Sequence, residues 1–355
     1  MATAERYQPR DSRHLVVLDG LRGLAVLIVL ASHFSSTGLL VRPGLHGVGK
    51  SGVYLFFVLS AFLLTRNLLG RPEQLLRQPR LWADYAFRRV LRIWPLYLVV
   101  LLASWWFTSQ GWPGLYPMST ESLWQHLALR EGVSVLWSIP VEFTFYLWLP
   151  LLAGLMCWLS SKNWHPLWQA WVAVLLVVAV LRVWPPAQAI ENDTRLGPYM
   201  AVFLCGVFAA QADHWLQRRP QVAWLWSMVA FAVALAWSLA IPALWCMLQG
   251  KPFEATVSRN WFCFFGLIWA LLLLSLLHGP SWLKRIFSWP GLVWTGRISF
   301  SLYLWHMPVI WTVGHFFPLS TLPAGSGIVV FALCVALATL SYWLVERPLA
   351  RLRLR

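Results

Sequence analysis

The stretch LDGLRGLAVLIVLASHF, residues 18–34, decides the fold. It is apolar over most of a bilayer's thickness, yet Asp19, Arg22 and His33 interrupt it. A hydrocarbon core takes roughly 20 apolar residues as a helix. Ionisable groups inside such a run are costly and tend to mark function. Arg6, Arg10 and Arg13 precede the run, as in a signal peptide. The charged interruptions and the lack of a clean small-x-small cleavage site predict a retained segment instead. Arg22 and His33 are eleven residues apart. In a helix that is three turns plus about 20°, so both side chains share one face about 16 Å apart along the axis.

Outward from this segment, the composition agrees. The chain has 355 residues, of which 59% are hydrophobic, 12% are charged and 26 are Trp. Soluble domains are about one quarter charged. This balance excludes a soluble enzyme, a disordered chain and a secreted disulfide scaffold. Cys157, Cys205, Cys246, Cys263 and Cys334 are odd in number and scattered. They read as small buried hydrophobes, and no thiolate metal site is predicted.

Ten apolar spans are predicted, near 15–34, 51–69, 93–109, 138–160, 166–184, 196–214, 222–248, 260–278, 292–316 and 324–346. Nineteen Lys and Arg fall on the side of the termini and seven on the other. The positive-inside rule then puts both termini in the cytoplasm. The net charge of +15 reflects this topology and requires no nucleic acid. The stretch LWADYAFRRVLRI, residues 81–93, alternates apolar and basic residues at helical spacing. It predicts an amphipathic helix on the cytoplasmic face that leads into the third span at Pro95. The predicted fold is an all-α polytopic membrane bundle of about ten transmembrane helices plus that helix. It forms a single domain over 1–355, with cytoplasmic tails at 1–14 and 347–355, in the cell's inner membrane.

Polar residues inside spans supply the candidate site. The first span offers Asp19, Arg22 and His33; an Asp19–Arg22 pair and a hydrogen-bonded core histidine are the structural alternative. The fourth begins at Glu142, just after Pro140, and a carboxylate there needs a partner. The ninth reads GRISFSLYLWHMPVIW, with Ser299, Tyr303 and His306 on one face. Glu346, Arg347 and Pro348 close the tenth at the interface.

These blocks, in this order, resemble the acyltransferase-3 family of integral-membrane acyltransferases. LDGLRGLAVLIVLASHF carries an Arg-x10-His element at Arg22 and His33. SGVYLFFVLSAFLLTR (51–66) is similar to the family's second span, and FRRVLRIWPLY (87–97) carries its Arg-x-x-Arg element at Arg89 and Arg92. LWSIPVEFTFYLWLPLL (136–152), GRISFSLYLWHMP (296–308) and YWLVERPL (342–349) resemble later blocks. Ala61 stands where the family commonly has Gly and Phe300 where it commonly has Tyr; Phe143 and Thr144 follow Glu142 in place of a second acidic or amide residue. Larger members carry an extracytoplasmic hydrolase-like domain, and none is expected within these 355 residues.

The resemblance implies transfer of an acyl group, acetyl by default, from acyl-CoA to a hydroxyl of a surface polysaccharide or other glycan. Acyl-CoA is then a co-substrate, with no tightly bound cofactor and no metal. The expected partners are acyl-CoA, a carbohydrate or glycolipid acceptor, and membrane lipid. O-acylation needs a base for the hydroxyl proton, and a histidine suits that role near neutral pH. The expected assignments are His33 as general base, Glu142 orienting it or the acceptor, and Arg22 on the donor's buried end or the developing oxyanion. Arg89 and Arg92 are expected to hold CoA phosphates. A transporter or flippase of a lipid-linked sugar is the rival reading, but no internal repeat or matched pair of broken helices supports it.

Overall fold

The computed structural model describes residues 12–40, 43–69, 71, 73–76, 78–161, 166–319, 322–323 and 325–352. Arg6, Arg10, Arg42, Arg77, Lys162, Arg353 and Arg355, and with them the outer parts of both predicted tails, lie outside these residues. Among the described residues every regular element is helical.

The helices follow the apolar runs. They are α1 (Ser12–Ser36), α2 (Gly49–Leu69), α3 (Glu73–Leu76), α4 (Pro79–Ser109), α5 (Thr120–Leu127), α6 (Ser138–Ser161) and α7 (Pro166–Val183). After them come α8 (Met200–Leu216), α9 (Ala223–Leu239), α10 (Pro242–Leu248), α11 (Phe262–His278) and α12 (Ser281–Phe287). The last are α13 (Pro290–Arg297), α14 (Ser299–Phe316), α15 (Ser326–Ser341), a π-helical turn at Tyr342–Glu346 and α16 (Arg347–Leu349).

Helix occupies all ten predicted regions, but six segments are long and apolar enough to cross a membrane. The number rises to eight if each of two bent pairs is one span: α9 with α10, bent by 77°, and α11 with α12, bent by 115°. The predicted ten also included α8, of 17 residues, and α14, which carries Ser299, Ser301, Tyr303 and His306. The physical reason is burial. A helix enclosed by its neighbours can be short and polar, because protein rather than lipid surrounds it.

Three boundaries also differ from expectation. The amphipathic stretch and the third span are one continuous helix, α4, with Pro95 inside it. The predicted ninth span is two helices, α13 and α14, which meet at Ile298. The seventh turns sharply where Pro242 opens α10.

The centre of the bundle is α1, α2, α8 and α11. Leu21, Ala25 and Val26 of α1 and Leu55, Val58 and Phe62 of α2 are fully buried. Phe57 of α2, Phe203 of α8 and Phe145 of α6 form a stack, with ring centroids 4.5 and 4.0 Å apart. By contrast, α7 turns Trp168, Trp171 and Leu175 outward, as a lipid-facing helix does.

Glycine sets how closely α1 approaches its neighbours. A Cβ at Gly20 would meet the carbonyl of Phe287, and one at Gly296 would meet the carbonyl of Asp19. This is the small-residue packing by which helices approach in membranes, where no hydrophobic drive brings them together. It fixes the end of α12 and α13 against the N-terminal half of α1, and α14 follows from α13.

Candidate active site

Three successive cavities follow α1 from its arginine-rich end to the end that holds His33. The first, of about 280 Å³, is lined by Asp19, Arg22, Arg88, Arg89, Arg92 and Arg297, with Glu346 also in its wall. The second is a neck of about 50 Å³ between Arg22, Arg92, Ser60, Glu142, Ser299 and Tyr303. The third, of about 240 Å³, holds His33, His46, Lys50, Trp137, Glu191 and Arg259. Arg22 and Arg92 line both the first cavity and the neck. Val53 and Tyr303 line both the neck and the third cavity.

In the arginine chamber, Asp19 lies between two guanidiniums, 3.9 Å from Arg22 and 3.7 Å from Arg297. Five arginines face two carboxylates, so the chamber is strongly cationic. Arg88 is tied to Asp84 at 2.5 Å. Arg89 instead stacks over Tyr85 and Tyr146, 6.0 and 5.6 Å from the ring centroids, and its buried Nε has no hydrogen-bond partner. A guanidinium in that state suits an anionic group with several acceptor oxygens. Glu346 accepts from Ser301, so the predicted end-of-span carboxylate bonds to α14 instead of standing free at the interface.

In the neck, Ser60 and Tyr146 each donate to Oε1 of Glu142 at 2.5 Å. Tyr146 lies one turn beyond Glu142 on α6, a spacing visible in the sequence; Ser60 comes from α2 and is not. Tyr303 donates to the Val135 carbonyl at 2.6 Å and accepts from Ser138 at 3.0 Å. It thereby fixes α14 to the start of α6, where the chamber wall turns.

The structure separates two residues that the sequence reading joined. Glu142 lines the neck and His33 the far chamber, and the bonds of Glu142 go to Ser60 and Tyr146. The ring beside His33 is His306, with centroids 5.2 Å apart. Ser299 lines the neck and Tyr303 both spaces. The predicted face of α14 is thus real and turned inward.

The sequence reading missed Lys50, Glu191 and Arg259 as residues of the far chamber, because Lys50 and Arg259 sit at span edges and read as topology and Glu191 is an ordinary loop charge. Arg259 pairs with Glu191 at 3.6 Å, and Lys50 lies 5.5 Å over the Trp137 ring. Two residues lining this chamber, Ser134 and Asn192, have left-handed backbones, with φ of 54° and 53°. Non-glycine residues in that region carry strain that surrounding structure must hold, and such strain gathers at functional sites.

His126 of α5 supports the same wall. Its Nδ1 donates to the Ser122 carbonyl at 2.8 Å, and its Nε2 accepts from the Val133 amide at 3.1 Å. Burial pushes its imidazole below its ordinary value, against the opposing pull of the Ser122 carbonyl and Glu131. A neutral ring is what the two bonds require, since Nε2 must stay bare to accept.

The family's acyltransferase domain matches residues 15–346, nearly the whole chain. The chain belongs to the acyltransferase-3 family. It is similar to the peptidoglycan O-acetyltransferase OatA of Listeria monocytogenes, 24% identical over 96% of this chain and 56% of that protein. It is equally similar, at 24% identity, to a Staphylococcus aureus protein provisionally named an O-acetyltransferase, over 96% of this chain and 58% of that one. A Bacillus subtilis protein provisionally named a peptidoglycan O-acetyltransferase matches at 24% over 97% of this chain and 56% of its own length. The chain therefore spans little more than half the length of these relatives. No solved structure matches it. The resemblance read from Arg22, His33, Arg89 and Arg92 is the family that the comparison finds.

Proposed function

We propose that this acyltransferase moves an acyl group, acetyl by default, from acyl-CoA at the arginine-rich end to a hydroxyl of a carbohydrate or lipid-linked glycan at the His33 end. In this reading the protein lies in the cell's inner membrane. The ten helical regions form its spans, and both termini and the arginine chamber face the cytoplasm. The observation that carries the proposal is the row of three cavities, joined through Arg22 and Arg92 at one end of the neck and Val53 and Tyr303 at the other. It supplies a route between a cationic pocket and an imidazole some 16 Å away along α1.

The chemistry follows from that route. Arg89 and Arg92 hold the phosphates of the donor, and the thin pantetheine arm extends through the neck past Arg22 and Glu142. His33 takes the hydroxyl proton as the acceptor oxygen attacks the thioester carbonyl. The C–S bond breaks, an ester forms, and the thiolate leaves to take up a proton. Arg22 stabilises the donor's buried end. Glu142, fastened by Ser60 and Tyr146, keeps the neck polar beside that guanidinium and does not orient His33 directly. Relatives named for peptidoglycan O-acetylation support a glycan acceptor.

Mass spectrometry of cell glycans and lipids, with the wild-type gene, without it, and with His33→Ala, tests the reading. The expected result is an acyl mark that vanishes without the gene and falls by about 10²–10⁴ in rate with the alanine variant, while the protein still inserts. An unchanged mark in the alanine variant removes His33 as the base.

A further inference from the structure

We infer that His306 is a positioning residue for His33: its bare Nε2 accepts the N–H of one His33 ring nitrogen and leaves the other nitrogen free to take a proton in the far chamber. The inference rests on the proposed role of His33 as base.

His306 is completely buried on α14. Its Nδ1 faces its own helix, 2.7 Å from the Tyr303 carbonyl and 3.2 Å from that of Leu302. A carbonyl only accepts, so Nδ1 carries the proton and Nε2 is left as an acceptor. That Nε2 is buried and has no hydrogen-bond partner, His33 included, so the bond inferred here is one that a turn of the neighbouring His33 ring would complete. Two hydroxyls on the same helix are committed elsewhere. Tyr303 spends its proton on the Val135 carbonyl, and Ser301 donates to Glu346. The ring that His306 packs against on α1 is His33, at 5.2 Å between centroids.

A neutral imidazole has one donor and one acceptor nitrogen, and the bond made by one nitrogen decides the state of the other. A general base must present the bare nitrogen to its substrate. His33 lines the far chamber, whereas His306 does not. An acceptor fixed behind His33 therefore selects the tautomer whose bare nitrogen faces the acceptor hydroxyl. A carboxylate would select it too, but would also hold a proton on the imidazole. A second neutral histidine orients the ring without charging it.

The test uses full-length protein labelled with ring-¹⁵N histidine in lipid nanodiscs, with the His33 signals identified by their loss in His33→Gln. In wild type, His33 is expected to show one fixed tautomer, with separate donor and acceptor nitrogen shifts. His306→Gln, whose amide oxygen can accept, should keep that tautomer. His306→Leu should let the two His33 nitrogens average. Should the leucine variant fail to insert, the wild-type spectrum decides alone, since averaged His33 nitrogens there overturn the proposal. A His33 tautomer that is the same in wild type and leucine variant also overturns it. Acyl marking in cells carrying the same variants separates the two readings. Loss of at least about tenfold with leucine and recovery with glutamine is expected when an orienting partner is removed and replaced. A tautomer that shifts while transfer persists leaves the pairing intact and removes His33 as the base.

Discussion

At the scale of single residues, the two ends of the passage make different demands. Replacing Arg89 and Arg92 together by Lys keeps the charge and removes the planar fork. Because Arg89 keeps a buried, unpartnered Nε, the expected outcome is a donor KM raised about tenfold or more, the scale of one lost charge-assisted hydrogen bond. An unchanged donor KM would mean that these arginines only reach toward lipid headgroups. His126 gives a pH prediction. Its folded-state value lies below the ordinary imidazole value of about 6.5, so the folded protein binds fewer protons there than the unfolded chain. Its contribution to stability is complete above that value and declines as pH falls below it, when protonated Nε2 can no longer accept from Val133. Thermal midpoints measured from pH 7.5 to 5 should fall more steeply for wild type than for His126→Gln; parallel curves would show that another group governs the acid limb. These residues also show what a sequence can disclose. His33, Arg22 and Glu142 stand out because polar groups are rare in apolar runs. His126, Lys50, Arg259 and Glu191 do not, because a loop charge or an amphipathic-helix histidine is ordinary until folding places it in a wall.

At the scale of elements, the consequential contact is that of α1 with α13. Gly296 of α13 and Gly23 of α1 lie against the backbone carbonyls of Asp19 and Leu292, which cannot rotate away as a side chain can. Gly296→Ala is therefore expected to destabilise the protein by about 1–3 kcal/mol, seen as a lower thermal midpoint in detergent. Gly154→Ala is the comparison. Its Cβ would meet nothing, it lies in a helix, and it should be neutral or gain about 0.5–1 kcal/mol. If the two variants melt alike, close packing of α13 does not matter to the fold. Periodicity located the helical regions, because apolar length is written along the chain. It did not reveal that α13 and α14 are separate, nor that α4 runs through Pro95, since those outcomes depend on which neighbours satisfy the backbone. The pairing of α14 with α1 is equally invisible in one dimension, although it is what brings His306 beside His33.

At the scale of the whole molecule, the placement of charge is the basis of the proposed orientation. Cysteines introduced at Gly44 and Leu352 should be labelled by an impermeant thiol reagent from opposite faces of the membrane, with the Leu352 position on the cytoplasmic side. Labelling of both from one face removes the proposed topology and, with it, the cytoplasmic placement of the arginine chamber. The passage beside α1 has a further consequence, and it concerns electrical insulation. A membrane that stores an ion gradient cannot tolerate an open aqueous path between its faces. A neck of about 50 Å³ has room for only a few waters, and Glu142 within it is tied down by two hydroxyls. Such a constriction behaves as a gasket: a slender neutral chain can thread it, whereas a hydrated ion meets a dehydration barrier. Under the proposed function, the cell would decorate its outer glycans with carbon from its metabolism without short-circuiting the potential across its own membrane.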